Sequence, residues 1–383
     1  MSLCTQVILL LLPSVIFASH FLGGSVTFSY NAVFPNGSYK VMEMENSGDW
    51  VSLQNGIISW SLLTVVDLGN RSDTNKPNSS PVTTSISFVR VPQNCPRTYT
   101  MITFDPDSDQ GRCRYGVSGN DECVGCAIPS GFALGQTTIN QKDFCTLSYT
   151  SASAGFYGLE IVVEDFPQQT ITLSYKNGGS SSRGPYSPGA SPLSRIPLHF
   201  VVKVEAAVSS CEEGVYLPKF IAPTPANGET IPAVINQECE IIVNATASAS
   251  SIHALLISGP LNITVNNYGG SSTQFALRWT PRTEDLGGYF PVCFVAETST
   301  TFYQSDMRCV LLEVGDGTDP QPTALDASAD IVVGMRMVVE STVDLTDESQ
   351  SEIFIRQFQE ELIKRGLPNS TTVRLRKVYQ RDP

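Results

Sequence analysis

Apolar and polar positions alternate with a period of two along much of the chain. Val26-Thr27-Phe28-Ser29-Tyr30 and Tyr39-Lys40-Val41-Met42-Glu43-Met44 each place their apolar side chains on one face, as a half-buried strand does. Between them Asn36-Gly37 tolerates positive φ, so residues 25–45 are expected to form a hairpin. Similar patterns predict strands at residues 56–66, 84–91, 98–104, 155–164 and 197–204. Residues 178–191 are rich in Ser, Gly and Pro and read as a mobile loop. A second block, residues 211–314, predicts strands at 240–245, 254–257, 274–279, 288–296 and 307–314, with turn residues at short spacing between them, as in a sandwich.

The period changes near the C-terminus. After a strand at 331–340, Ser349-Gln350-Ser351-Glu352 has the form of a capping box, and Ile355, Phe358 and Leu362 make one apolar helical stripe. Gly366 and Pro368 end the helix, and 372–378 is again a strand. The expected fold class is therefore mainly β: tandem sandwich regions followed by a small C-terminal β-α-β module. The boundaries are a β-rich region at 19–205, which forms one enlarged sandwich or two, a sandwich at 206–315, a linker at 316–328 and the module at 329–383.

Residues 1–18 fit a secretory signal: an unbroken apolar run from Val7 to Leu12, then small Ala18 and Ser19 for cleavage, although no Lys or Arg precedes the run. No later stretch nears the ~18 apolar residues of a spanning helix. The mature chain is thus expected to be soluble and secreted. Six Asn-x-Ser/Thr sequons, at Asn36, Asn70, Asn78, Asn244, Asn262 and Asn369, suit such a route and are each expected at an exposed position. Cys4 lies in the signal. The other nine, Cys95, Cys113, Cys123, Cys126, Cys145, Cys211, Cys239, Cys293 and Cys309, should mostly form disulfides, with one left unpaired. Cys293 and Cys309 fall on strands expected to be neighbours, an arrangement that leaves Cys211 with Cys239; three pairings of these four remain open.

Charge narrows the partners. The chain carries 24 Lys+Arg against 37 Asp+Glu, a net −13, and only 16% of its residues are charged. This excludes nucleic acid, which needs clustered cations. Residues 346–383 differ: they hold seven Lys+Arg against six Asp+Glu. Lys364, Arg365, Arg374, Arg376, Lys377 and Arg381 run without an intervening acid, which suits helix-end charge or contact with a sulfated glycan or acidic partner.

In the second block, Leu277-Arg278-Trp279-Thr280-Pro281, Asp285-Leu286-Gly287-Gly288-Tyr289 and Val292-Cys293-Phe294-Val295-Ala296 resemble the cadherin-like and immunoglobulin-type sandwich modules of extracellular proteins. Trp fills the core, Pro ends a strand, and Gly makes the turn. Cys145–Thr150, Ala154–Gly158 and Ile161–Asp165 resemble a diverged copy of this strand-turn-strand element. The opening Ser19-His20-Phe21-Leu22-Gly23-Gly24 resembles the mature start of a group of secreted animal proteins, a group that brings no established activity.

Two constellations carry candidate chemistry. Asp105, Asp107 and Asp109 alternate in a turn of the kind common in such modules, and three carboxylates suit Ca²⁺. It is not an EF-hand, because Gln110 and Gly116 occupy the positions of the required Gly and Glu. Cys123-Val124-Gly125-Cys126 would suit zinc or a redox dithiol inside a cell; behind a signal peptide it reads as disulfides. His20, His199 and His253 are the only histidines, and no nucleophile elbow, zincin or phosphate-loop motif occurs, so no catalysis is expected. The sequence thus predicts a secreted glycoprotein acting in extracellular recognition or adhesion, with a protein or glycan partner. The alternatives are a matrix component cross-linked through the unpaired cysteine, and a Ca²⁺-dependent lectin or a hydrolase.

Overall fold

The computed structural model describes residues 18–26, 40–139, 142–175, 178–299, 301–317 and 335–341, and five positions between 352 and 360. The expected signal segment up to residue 17, most of the expected linker, the sequons at Asn36 and Asn369, and the basic run from Lys364 to Arg381 lie outside the described residues. The chain divides into two compact units, one of Leu22–Val338 and one of Met1–Phe21 with Val339–Pro383. In the second unit Glu352, Ile355, Arg356, Gln359 and Glu360 are helical, on the stretch where the capping box and stripe predict a helix.

Within Leu22–Val338 the protein is mainly β. The first sandwich is organised by Ser194–Glu205, which runs antiparallel to Gly155–Phe166 over the register Gly155↔Val204 to Asp165↔Ser194. Its other edge is shared by Ser59–Val66, by Gly23–Ser25 and, in parallel, by Phe88–Pro92. The facing sheet orders Val82–Thr83, Arg97–Phe104, Lys142–Tyr149 and Phe132–Ile139. Alternation explains the layering: Tyr157, Leu159, Ile161 and Val163 join Ile196, Leu198, Phe200 and Val202 in a core with Tyr99, Met101, Leu147 and Tyr149. Cys113–Cys145 ties one sheet to the other, with Cα atoms 5.8 Å apart.

Residues 27–39, which carry the turn and first arm of the hairpin expected over 25–45, lie outside the described residues. Lys40–Asp49 pairs with Ser59–Val66, and Gly23–Ser25 pair with Leu198–Phe200. The stretch expected as a mobile loop contains the strand Ser180–Arg183, paired with Ile171–Ser174 and tethered by Arg183 Nη2 donating to buried Asp67 at 2.8 Å.

The second sandwich stacks one sheet of Lys219–Ile221, Cys239–Thr246, Gln274–Trp279 and Thr264–Asn267 on another of Thr230–Val234, Arg308–Gly315, Tyr289–Thr298 and Ile252–Ser258. Trp279 fills its core, donating its Nε1–H to the Leu261 carbonyl at 3.0 Å. The two similar strand-turn-strand elements are disposed alike. Lys142–Tyr149 and Gly155–Phe166 lie in opposite sheets of the first sandwich, as Gln274–Trp279 and Tyr289–Thr298 do in the second.

One sheet of the second sandwich is buried on both faces. Val292, Phe294, Ala296, Val310 and Leu312 enter its own core, whereas Cys293, Val295, Met307, Cys309 and Leu311 extend the core of the first sandwich. Hydrogen bonds cross the same boundary: Thr84 Oγ1 to Ser258 Oγ at 2.5 Å, and Asn227 Nδ2 to Thr100 Oγ1 at 2.7 Å. Phe104 and Tyr289 pack with ring centroids 4.6 Å apart. Cys95–Cys211 adds a covalent tie across 116 residues.

Candidate functional site

The turn that carries the chain from Arg97–Phe104 to Gln110–Tyr115 crosses from one sheet of the first sandwich to the other. Asp105 builds it. Its Oδ1 accepts the backbone N–H groups of Asp107 at 2.8 Å and Asp109 at 3.2 Å, and Ser108 adopts a left-handed φ of +65°. The strand Asn70–Arg71 lies close by in the fold and delivers a fully buried guanidinium into this corner. Arg71 makes a two-pronged ion pair with Asp109, binds Asp73 through Nε and Nη2 at 3.1 and 2.8 Å, and donates to Asn78 Oδ1 at 2.5 Å. Asp107 lies 3.5 Å from the same guanidinium and accepts the Ser79 N–H.

Asp165 completes the cluster from the end of Gly155–Phe166. Its Oδ1 accepts from both N and Oγ of Ser194 at 2.5 and 2.6 Å, and its Oδ2 accepts from Asn78 Nδ2 at 2.7 Å. Carboxylate oxygens of Asp105, Asp109 and Asp165 come within 4.8 Å of one another, all three residues being buried. Of the three aspartates suggested by sequence, the structure therefore brings two together, replaces Asp107 with Asp165 and turns Asp107 toward Arg71. Asp165 could not be found from spacing, since it sits 56 residues beyond Asp109.

The electrostatics are unbalanced. Three aspartates, Asp73, Asp107 and Asp109, face Arg71, and Asp105 and Asp165 stand beside Asp109. Burial, and after it the neighbouring carboxylates Asp165, Asp109 and Asp107, push Asp105 well above the ordinary carboxylate range. Burial pushes Asp165 up to about 7, against the opposing hydrogen bonds from Ser194 and Asn78. Asp73, half-exposed, is held low by its hydrogen bonds to Arg71. Asp105 Oδ2 is buried and has no hydrogen-bond partner. Such an orphaned acceptor is costly unless it is protonated or faces a cation. Three clustered carboxylates are hard oxygen donors of the type that Ca²⁺ takes, so the residues present fit that ion.

Asn78 corrects one expectation. Its sequon reads as an exposed acceptor, yet the side chain is fully buried and both amide atoms are engaged, Oδ1 by Arg71 and Nδ2 by Asp165. Asn70 and Asn262 are exposed, and Asn244 is partly so. Peptide mapping of glycans from a secreting host is expected to find Asn78 unmodified; a glycan on Asn78 in folded protein would contradict this packing.

The cysteines form Cys95–Cys211, Cys113–Cys145, Cys123–Cys126 and Cys293–Cys309, leaving Cys239 as the free one among the described residues. Cys211 thus pairs with distant Cys95 rather than Cys239. The reason is geometric: Cys239 lies in register opposite Trp279 on the far sheet of the second sandwich. His199 is buried against Trp50 with neither ring nitrogen hydrogen-bonded, and burial lowers it to about 3. That is not a ring held between a nucleophile and a carboxylate.

No family model matches the chain. It is similar to Integrin beta-like protein E of Dictyostelium discoideum, at 24% identity over 293 residues, covering 71% of this chain and 14% of that protein. Integrin beta-like protein C of the same organism is 22% identical over 258 residues, 65% of this chain and 13% of the relative. The chain thus spans about one seventh of the length of these relatives. Among solved structures it is similar to the sialic acid binding region of a Streptococcus sanguinis adhesin, with a TM-score of 0.22 and 10% identity over 62% of this chain and 78% of that one. Tandem Ig repeats of Dlar match with a TM-score of 0.22 and 10% identity, over 61% and 98% of the two chains. No helix among the described residues is long and apolar enough to cross a membrane.

Proposed function

We propose that this protein is a secreted, glycosylated extracellular recognition or adhesion module that binds a protein or glycan partner, with Ca²⁺ held by Asp105, Asp109 and Asp165 as a structural ion. The observation that carries the reading is the double-sided burial of the Tyr289–Thr298 sheet, which joins two sandwiches through one continuous core. A rigid platform of this kind presents loops in fixed geometry, which is what a recognition surface requires. Similarity to Integrin beta-like proteins over most of the chain supports the same direction. The narrower likeness to cadherin-like modules of secreted animal proteins belongs to this proposal too. Matrix cross-linking through Cys239 is less well supported: the residue is half-buried, and burial pushes its thiol up, which leaves little thiolate.

The test is binding of purified, fluorescently labelled full-length protein to a panel of cells and glycan arrays, with and without a Ca²⁺ chelator. Saturable binding weakened by the chelator is expected. Binding no greater than that of an unrelated sandwich protein of similar charge would overturn the reading.

A further inference from the structure

A second buried polar cluster lies on the outer face of the first sandwich, under the loop that follows Gln110–Tyr115. Glu160 stands mid-strand in Gly155–Phe166, directly across from His199 of Ser194–Glu205. It is 4% exposed, and its carboxyl group lies against the Trp50 indole N–H. A Glu160 oxygen and the Sγ atoms of Cys123 and Cys126 all come within 4.8 Å of one another. The two sulfurs are unequally placed: Cys123 is buried, whereas Cys126 is partly exposed and adopts a left-handed φ of +39° after Gly125 at +89°. Val117, Val124 and Ile128 on the same loop are exposed by 47%, 46% and 61%, so the more accessible sulfur has an apolar rim.

This bond has little structural work. Cross-links stabilise more as the closed loop lengthens. The others span 116, 32 and 16 residues, and this one spans 3. The loop is pinned by other means. Asn55 Nδ2 donates to the carbonyls of Ala127 and Gly158, both at 2.9 Å, and Ser61 Oγ donates to the Asp121 carbonyl at 3.2 Å. Buried Glu122 accepts from Arg114 at 2.6 and 2.7 Å and from Arg195 at 3.1 Å. Opening Cys123–Cys126 would leave the loop seated.

We propose that Cys123–Cys126 is a thiol–disulfide exchange site for a thiol-bearing protein segment, with Cys126 as the attacked sulfur and Glu160 as proton donor to Cys123. A donor thiolate attacks Cys126 Sγ, forming a mixed disulfide and breaking the Cys123–Cys126 bond. The bonding pair leaves on Cys123 Sγ, which takes the carboxyl proton of Glu160. A second thiolate of the donor then attacks its own half of the mixed disulfide. The donor's second thiol gives its proton to the Glu160 carboxylate as it becomes that attacking thiolate. The bonding pair of the mixed disulfide leaves on Cys126 Sγ, which takes from solvent the proton that the first donor thiol had released. Two electrons have passed, the donor leaves as a disulfide, and the site is a dithiol. Burial pushes Glu160 up to about 8 against the opposing hydrogen bond from Trp50, so near neutral pH it holds the proton it must give. The groups around it do not compete. His199 is kept neutral by burial, and Glu122, Arg114, Arg195 and Glu164 are paired among themselves. The proposal does not depend on the adhesion reading, because its test involves no binding partner.

The full-length protein is incubated in buffers of graded dithiothreitol or glutathione ratio, quenched with an alkylating reagent and mapped by mass spectrometry. Cys123 and Cys126 are expected to label at ratios that leave the other three disulfides closed. Cys123→Ala is expected to retain glutathione on Cys126. Glu160→Gln is expected to slow opening on the order of 10²-fold near pH 7 and to remove the break in the rate profile near pH 8. Opening of this bond only together with or after the others would overturn the proposal in the wild-type protein alone. So would an unchanged rate and pH profile in Glu160→Gln.

Discussion

Arg71→Ala is expected to destabilise the first sandwich by about 3–5 kcal/mol, the cost of removing one partner from a buried ion pair. Arg71 is fully buried and is the cation that faces Asp109, Asp107 and Asp73 together. Without it Asp109 keeps a buried charge with no counterion, and Asn78 Oδ1 loses its donor. The network then fails toward Asp165, whose Oδ2 depends on the Asn78 amide. Arg71→Lys should recover only a minor part, because one ammonium cannot reproduce the planar fork that spans Asp109 and Asp73. Chemical denaturation followed by tryptophan fluorescence measures this. A loss below about 1 kcal/mol, the usual value of an exposed pair, would show that the cluster is solvated and that the buried geometry is wrong.

Asp105→Asn is expected to act in the opposite direction, stabilising the protein above pH 7 in the absence of divalent cations. The sign follows from proton counting. Asp165 titrates near 3.8 unfolded and near 7 folded, and Asp105 is shifted the same way. Between those values the folded chain binds protons that the unfolded chain has lost. Their stabilising contribution is full below the unfolded value and is lost as pH rises through the folded one. The slope is about 1.4 kcal/mol per pH unit for each proton. An asparagine at 105 can keep Oδ1 on the two turn amides and place an N–H donor where Oδ2 is orphaned. One charge leaves the cluster, and the slope should flatten.

Ca²⁺ gives the second readout of the same substitution. In the wild type it should displace the retained protons, so its stabilisation grows with pH and reaches about 2.7 kcal/mol at a hundred times its Kd. In Asp105→Asn it should fall to a small fraction of that. Thermal denaturation of both proteins from pH 5 to 8, with Ca²⁺ or chelator, separates the outcomes. A flat wild-type profile with no Ca²⁺ effect would mean that the cluster holds neither proton nor ion.

Much of the fold was legible in the period-two pattern. Strands expected at 98–104, 155–164, 197–204, 240–245 and 274–279 appear within a few residues of those bounds. The turn at Asp105 was legible because its aspartates and Ser108 favour local side-chain hydrogen bonds and left-handed backbone. The site was half legible. Asp105 and Asp109 are local to one turn, whereas Arg71, Asn78 and Asp165 reach it from other strands and look like ordinary polar residues in their own contexts. Asn78 even carried a misleading signal, because a sequon describes three neighbouring residues and says nothing of burial.

Sequence alone therefore determined that this chain is mainly β, with two sandwich-forming blocks and a crossing turn rich in carboxylates. Tertiary structure decided the partners: which strand lies beside Lys40–Asp49, that Cys211 meets Cys95, and that Asp165 closes the cluster. It also decided that Tyr289–Thr298 is covered on both faces, by its own sandwich and by the neighbouring one. The reason is physical. Alternation along a strand reports that a face leaves water, and local turn chemistry reports where the chain bends. Which surface covers that face depends on total apolar area and charge neutralisation summed over residues a hundred positions apart.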